Sequence, residues 1–171
     1  EQSNESRIVF QHYDACRDEV LRSFEWPFAQ AMAALAVASG VTFPGWTYAY
    51  AFPSNCIMPR RLLQDGEDLD LAAEVPYALL TSATGNVRYI CTDLEDAWLM
   101  YTARVTDPSL FDPLFVTSLV YRLAAAISPA FTDGDGKRRE LYQFYRGVVE
   151  QAKAQGANEL RPVPKLTGYQ D

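Results

Sequence analysis

One histidine, three cysteines and no glycine-rich phosphate loop leave this 171-residue chain short of the usual materials of catalysis. Cys16, Cys56 and Cys91 stand singly at wide spacings. Without a Cys-x-x-Cys they form neither a disulfide framework nor a zinc site, and they read as reduced thiols in core positions. His12 and Cys16 are four apart on a helical stretch, yet a structural zinc needs about four ligands. A Cys–His nucleophilic pair would need an orienting partner that nothing in the sequence marks. There is no serine nucleophile elbow. Basic residues are in deficit, 15 against 22 acidic, and the net charge of −7 argues against gripping nucleic acid through its phosphates. The longest apolar run, Ala31–Ala38, is too short and alanine-rich to span a bilayer, and the polar first residues lack the apolar run of a secretory leader.

What is present is ordinary for a folded domain: 49% hydrophobic and 22% charged residues, with aromatics high at 13%. That composition predicts one domain with a real core and large side chains packed inside it or across subunit contacts. Residues from about 5 to 25 read as an amphipathic helix, with Val9, Tyr13, Cys16, Val20 and Phe24 on one side and Arg7, Asp14, Arg17, Asp18 and Arg22 on the others. Pro27 ends it at or just before Trp26. Trp46–Ala51 alternates large and small side chains, with Trp46, Tyr48 and Tyr50 on one face, which is strand periodicity. Tyr77–Ala83 and Val87–Cys91 flank a Thr84-Gly85-Asn86 turn, and Trp98–Val105 is a further strand.

The stretch Tyr101–Phe115 passes from strand into helix through Thr106-Asp107-Pro108. Thr106 or Asp107 can cap a helix there, Pro108 costs no hydrogen bond, and Asp112-Pro113 allows a second start. This helix is expected over about 109–127, stopping at Ser128-Pro129. A last one is expected over about 137–155, with Leu141, Phe144, Tyr145, Val148 and Ala152 on one face and Gly156 as terminator. The fold class is therefore α+β: about three helices, with an antiparallel β region over about 29–105 inserted between the first and second. Residues 1–157 form the domain, and 158–171 an extended C-terminal tail.

Two acidic features invite chemistry. Asp133-Gly-Asp-Gly136 is superficially like a calcium loop, but its fifth position is Lys137 and its twelfth Phe144, so a helix connection is the better reading. Asp65–Asp68 is an acidic turn or loop, and the pairs Asp18-Glu19, Glu67-Asp68 and Glu95-Asp96 could furnish a small acid–base hydrolase, although no spacing singles out a raised-pKa acid. No enzyme activity, cofactor or metal is expected.

Tyr101-x-Ala-Arg-Val-Thr-Asp-Pro-x-Leu-Phe-Asp-Pro-Leu-Phe115 closely resembles the tail tubular protein A family, the head-to-tail adaptors of short-tailed bacteriophages. Two further blocks agree in order. Ala15–Arg22 with Trp26-Pro-Phe-Ala29 resembles the family's first helix and its exit. Trp46–Cys56 resembles its aromatic strand, with Phe52 in place of the usual Leu and Asn55 in place of the usual Asp. The likeness covers about two-thirds of the chain; Pro59–Val75 and the last dozen residues diverge. The resemblance implies that the alanine-rich Ala29–Ser39, whose composition favours helix, is a strand feeding a sheet.

It further implies a virion protein at the head–tail interface, assembled in the host bacterial cytoplasm. There it would form a twelve-copy ring between the portal ring and the tail nozzle, lining the passage of double-stranded DNA without binding it specifically or meeting a membrane. In the tail, Leu160, Val163, Leu166 and Tyr169 recur every third residue around Arg161 and Lys165, a strip suited to a groove on another subunit. The resemblance makes the portal that groove. Trp46, Tyr48, Tyr50 and Trp98 are candidates for contact with neighbours or nozzle, and Arg60, Arg61, Arg138 and Arg139 for inter-subunit ion pairs. A bacterial protein-interaction scaffold is the other alternative to the hydrolase.

Overall fold

The computed structural model describes residues 4–64, 75–131 and 135–159, with side chains through residue 156. It is an α+β fold of three helices and two antiparallel three-stranded sheets. The expected acidic loop at 65–68, the first half of the 133–136 connection and the tail residues from 160 onward lie outside the described residues.

Helix α1 runs Asn4–Ser23 and buries Cys16, Val20 and Leu21. It stops before the expected residue 25 because its last carbonyls find side chains. Ser23 Oγ donates to the Val20 carbonyl at 2.7 Å, and the buried Trp26 indole Nε1 donates to the same oxygen at 2.9 Å. Pro27–Ala29 then form a 3₁₀ turn. Arg17, expected on a solvated face, is instead 6% exposed, its charge met by Asp14 at 2.9 Å and Asp18 at 3.0 Å.

Strand β1 (Gln30–Ala34) pairs antiparallel with β6 (Trp98–Ala103), from Gln30 opposite Thr102 to Ala34 opposite Trp98. Pairing thus overrides the helix propensity of the alanines. The chain then changes sheets. Leu35 N–H still bonds Ala97 O at 2.9 Å, but Ala38 N–H reaches Ala49 O at 2.8 Å and Ala51 N–H reaches Ala36 O at 3.0 Å. Those partners lie in β2 (Tyr48–Ala51), which leads to β3 (Cys56–Leu63), β4 (Ala78–Thr81) and β5 (Arg88–Thr92). The sheet orders are β1-β6-β3 and β2-β5-β4. The β4–β5 hairpin closes as expected through Ser82 and Val87, with Gly85 at φ +74°.

Strand β3 was not legible, because Pro59 and the Arg60-Arg61 pair interrupt any alternation. Pro59 is tolerated on this edge strand, where the register against β6 shifts on either side of it.

The side-chain alternation of β6 divides the interior. Leu99, Tyr101 and Ala103 join Leu62 of β3 and Tyr50 and Ile90 of the second sheet in one core. A second core joins α1 to Trp26, Ile57 and the other two helices.

Helix α2 spans Pro113–Ile127, starting four residues later than expected. The Asp107-Pro108 signal makes only a short 3₁₀ turn, and Asp112 caps the helix, accepting from Leu114 N–H at 2.7 Å and Phe115 N–H at 3.4 Å. Pro113–Ala130 is long and apolar enough by composition to cross a membrane. In this fold α2 packs against both α1 and α3 and buries Phe115, Ser118, Leu119 and Ala125.

Helix α3 spans Asp135–Glu159, longer than expected at both ends. Tyr145, Val149, Ala152 and Gly156 form its inward stripe, while Phe144 lies at the edge, half-exposed beside the Tyr121 ring at 5.5 Å. Gly156 does not end the helix. A Cβ there would sit 2.6 Å from the tip of the Phe24 ring, so glycine serves close packing.

Candidate functional site

The three blocks that carry the family resemblance meet in space. The Trp26 ring stands edge-on to Phe24 (centroids 5.1 Å apart) and Phe115 (5.3 Å), and Phe28 contacts Phe111 (5.7 Å) and Phe115 (5.0 Å). Tyr101 Oη donates to Asn55 Oδ1 at 3.0 Å, and Arg104 N–H donates to the Asn55 carbonyl at 2.7 Å. The first set joins the exit of α1 to the start of α2, and the second joins the end of the aromatic strand segment to β6, so the β6–α2 passage touches both other blocks.

The aromatic candidates separate. Tyr50 is fully buried, and its hydroxyl donates to the Leu94 carbonyl at 2.8 Å, so it belongs to the core and presents nothing to a neighbour. Tyr48 is half-buried beside Glu95; burial first and that carboxylate second push its phenol pKa up. Trp46 and Trp98 are half-buried.

The arginines also separate. Arg60 is turned inward. Its Nε donates to Thr102 Oγ1 at 2.9 Å and its Nη2 to the Arg22 and Phe24 carbonyls at 3.3 and 3.2 Å, fastening the first sheet to the end of α1. That use within the chain removes it from the inter-subunit candidates. Arg61 is exposed and lines a cavity of about 380 Å³ with Val75 and Tyr77. Arg138 and Arg139 are exposed on the first turns of α3, beside a groove of about 530 Å³.

Two of that groove's arginines, Arg122 of α2 and Arg146 of α3, were missed in the sequence. Arg139, Tyr142 and Arg146 recur at helical spacing and could have been found, whereas only the packing of α2 on α3 brings Arg122 to them.

Nothing gathers a catalytic centre among the described residues. No group of three or more His, Cys, Asp or Glu side chains there is placed to hold a metal. Cys16 is buried and its thiol pKa raised, chiefly by burial. Asp18 and Glu19 are engaged by Arg17, Arg104 and Arg122 in ion pairs of 2.6 to 3.0 Å. Among the described residues, the carboxylates with clearly shifted acidity, Asp107 and Glu150, are both held below their ordinary values: Asp107 by hydrogen bonds from Ser109, Glu150 by one from Lys153. A general acid needs the opposite shift.

Apolar surface is plentiful. Phe10 of α1 is 67% exposed, Val116 and Val120 share the outer face of α2 at 43% and 58%, and Met32 and Val37 stand out near the sheets. Scattered singly, such side chains are ordinary on a globular surface. Compared with known proteins, the chain matches no family model and no curated protein.

Proposed function

We propose that this protein is a structural virion component, the ring adaptor between the portal and the tail nozzle of a short-tailed phage. The observation that carries this reading is the ordered set of three sequence blocks that resembles the tail tubular protein A family. Contacts between them support it: the first and third blocks pack together around Trp26, and the second is hydrogen-bonded to the third through Asn55. Phe10 of α1 and the Val116–Val120 pair of α2 are exposed and available to neighbours around a ring. A closed ring needs two different complementary faces on each subunit. The surplus of acidic residues suits a wall that double-stranded DNA passes without sticking.

In this reading the tail beyond α3, with Leu160, Arg161, Val163, Lys165, Leu166 and Tyr169, docks on the portal. The test is native mass spectrometry of the chain mixed with its cognate portal ring, beside a version truncated after Glu159. A twelve-copy complex that truncation abolishes is the expected result. Assembly unaffected by truncation would strip the tail of its role, and no association between folded partners would overturn the adaptor.

A further inference from the structure

The groove between α2 and the start of α3 concentrates positive charge on an acidic chain. Among the described residues, Arg122, Arg138, Arg139 and Arg146 line it, together with the carboxylate of Asp135 and the ring of Tyr142. With these four set aside, the rest of the chain carries twice as many acidic as basic residues. Arg122 is tied to Glu19 at 2.6 Å and stands over the Tyr142 ring at 5.9 Å, and its Nε is buried without a partner among the described residues. Arg138 and Arg139 extend into solvent with no ion pair to a described residue. From Arg139 to Arg146 the charges span about 10 Å along the helix axis, at about 1.5 Å per residue.

That length separates the candidate ligands. Guanidiniums strung over such a distance are matched best by several separated negative charges on one ligand, and the chain's net charge of −7 disfavours nucleic acid. A short polypeptide stretch with several carboxylates fits both the span and the charge. The β5–β6 turn of this chain has that character. Asp93, Glu95 and Asp96 are all exposed, and Asp96 holds a left-handed φ of +53°. Asp93 Oδ1 accepts from the Thr47 N–H and hydroxyl, both at 2.8 Å, and Glu95 bonds Tyr48, so the turn is fastened from within. The groove belongs to the helices and the turn to the strands, two different patches on one molecule.

We infer that the arginine groove of one copy receives the Asp93–Asp96 turn of a second copy, a head-to-tail contact. The inference rests on the ring reading and supplies it with a pair of complementary faces. Two variants test it: Arg139→Gln with Arg146→Gln, which keeps the turn, and Glu95→Gln with Asp96→Asn, which keeps the groove. Asparagine tolerates the left-handed backbone at 96. Circular dichroism confirms that each variant is folded, and native mass spectrometry follows self-association across a concentration series.

Each variant alone should self-associate at least roughly tenfold more weakly than the parent chain. Mixed, they should form a one-to-one dimer that grows no further, because only one productive contact remains. A groove variant that assembles like the parent overturns the inference and leaves the ring standing. Two weakened variants that give no mixed dimer overturn it as well. A parent chain that stays monomeric at every concentration overturns this contact, while the ring is judged separately on the portal.

Discussion

Alanine at Gly147 and alanine at Gly156 should move stability in opposite directions, although both glycines lie in α3. Relieving a helix of glycine gains about 0.5–1 kcal/mol from backbone entropy. At Gly147 that gain is unopposed, because an added Cβ would meet nothing within 4 Å. At Gly156 the Cβ would lie 2.6 Å from Phe24 Cζ, and the ring cannot simply withdraw, since it stands at 85° against Trp26. Overpacking of this kind costs about 1–3 kcal/mol. The net expectation is a gain of roughly 0.5–1 kcal/mol for Gly147→Ala and a loss of roughly 0.5–2 kcal/mol for Gly156→Ala.

Urea denaturation followed by circular dichroism reads both changes. With a slope near 2 kcal/mol per molar, the midpoints should separate by roughly 0.5–1.5 M. Phe24→Leu shortens the opposing side chain, so in that background Gly156→Ala should lose most of its penalty. Equal stabilisation by both alanines would refute the packing of α3 against the exit of α1.

Two further outcomes follow from the aromatic cluster and the buried thiols. Trp26→Phe removes the indole donor from the Val20 carbonyl and leaves a gap of about 40 Å³ in the aromatic cluster. A loss of about 2–3 kcal/mol is expected in urea unfolding, and a loss below about 0.5 kcal/mol would contradict the arrangement. Stability should also fall on the alkaline side. Burial pushes the Cys56 thiol from 9.0 to about 11 and raises Cys16, Cys91, Tyr77 and Tyr145 as well. A raised folded pKa means the stabilisation is complete below the unfolded value and is lost as pH rises toward the folded one. For Cys56 that window runs from 9.0 to about 11, with a loss on the order of 1 kcal/mol once partial exposure is discounted. Urea midpoints at about pH 8 and about pH 10.5 check it, and equal midpoints would contradict it.

How much could be read beforehand follows from where each signal lies in the chain. The helices, the hairpin and the Asp112-Pro113 start are local: a periodicity, a turn residue or a cap announces them within a few residues. Residues 30–34 are not, because alanine prefers a helix until β6 supplies hydrogen bonds from seventy residues away. Strand β3 was hidden for a related reason, since only an edge position makes Pro59 acceptable. The arginine groove was half legible: one stripe on α3 is in the sequence, and its counterpart Arg122 is a product of helix packing. Arg17 and Arg60, taken for surface charges, were misplaced because carboxylates and carbonyls that receive them lie on neighbouring turns or distant segments.

The central place of β6 between β1 and β3 also sets a schedule for the protein's birth. Gln30 waits for Thr102. At a synthesis rate of about 5–20 residues per second, that is a delay of roughly 4–14 s. Until then β1 has no sheet to join, and α1 lacks the aromatic floor that Phe115 completes. The nascent chain therefore passes through a period when an apolar helix face and an unmatched strand are both bare. A ribosome stalled before residue 98 would release a fragment with no route to the first sheet, and such a fragment is a substrate for chaperones and proteases.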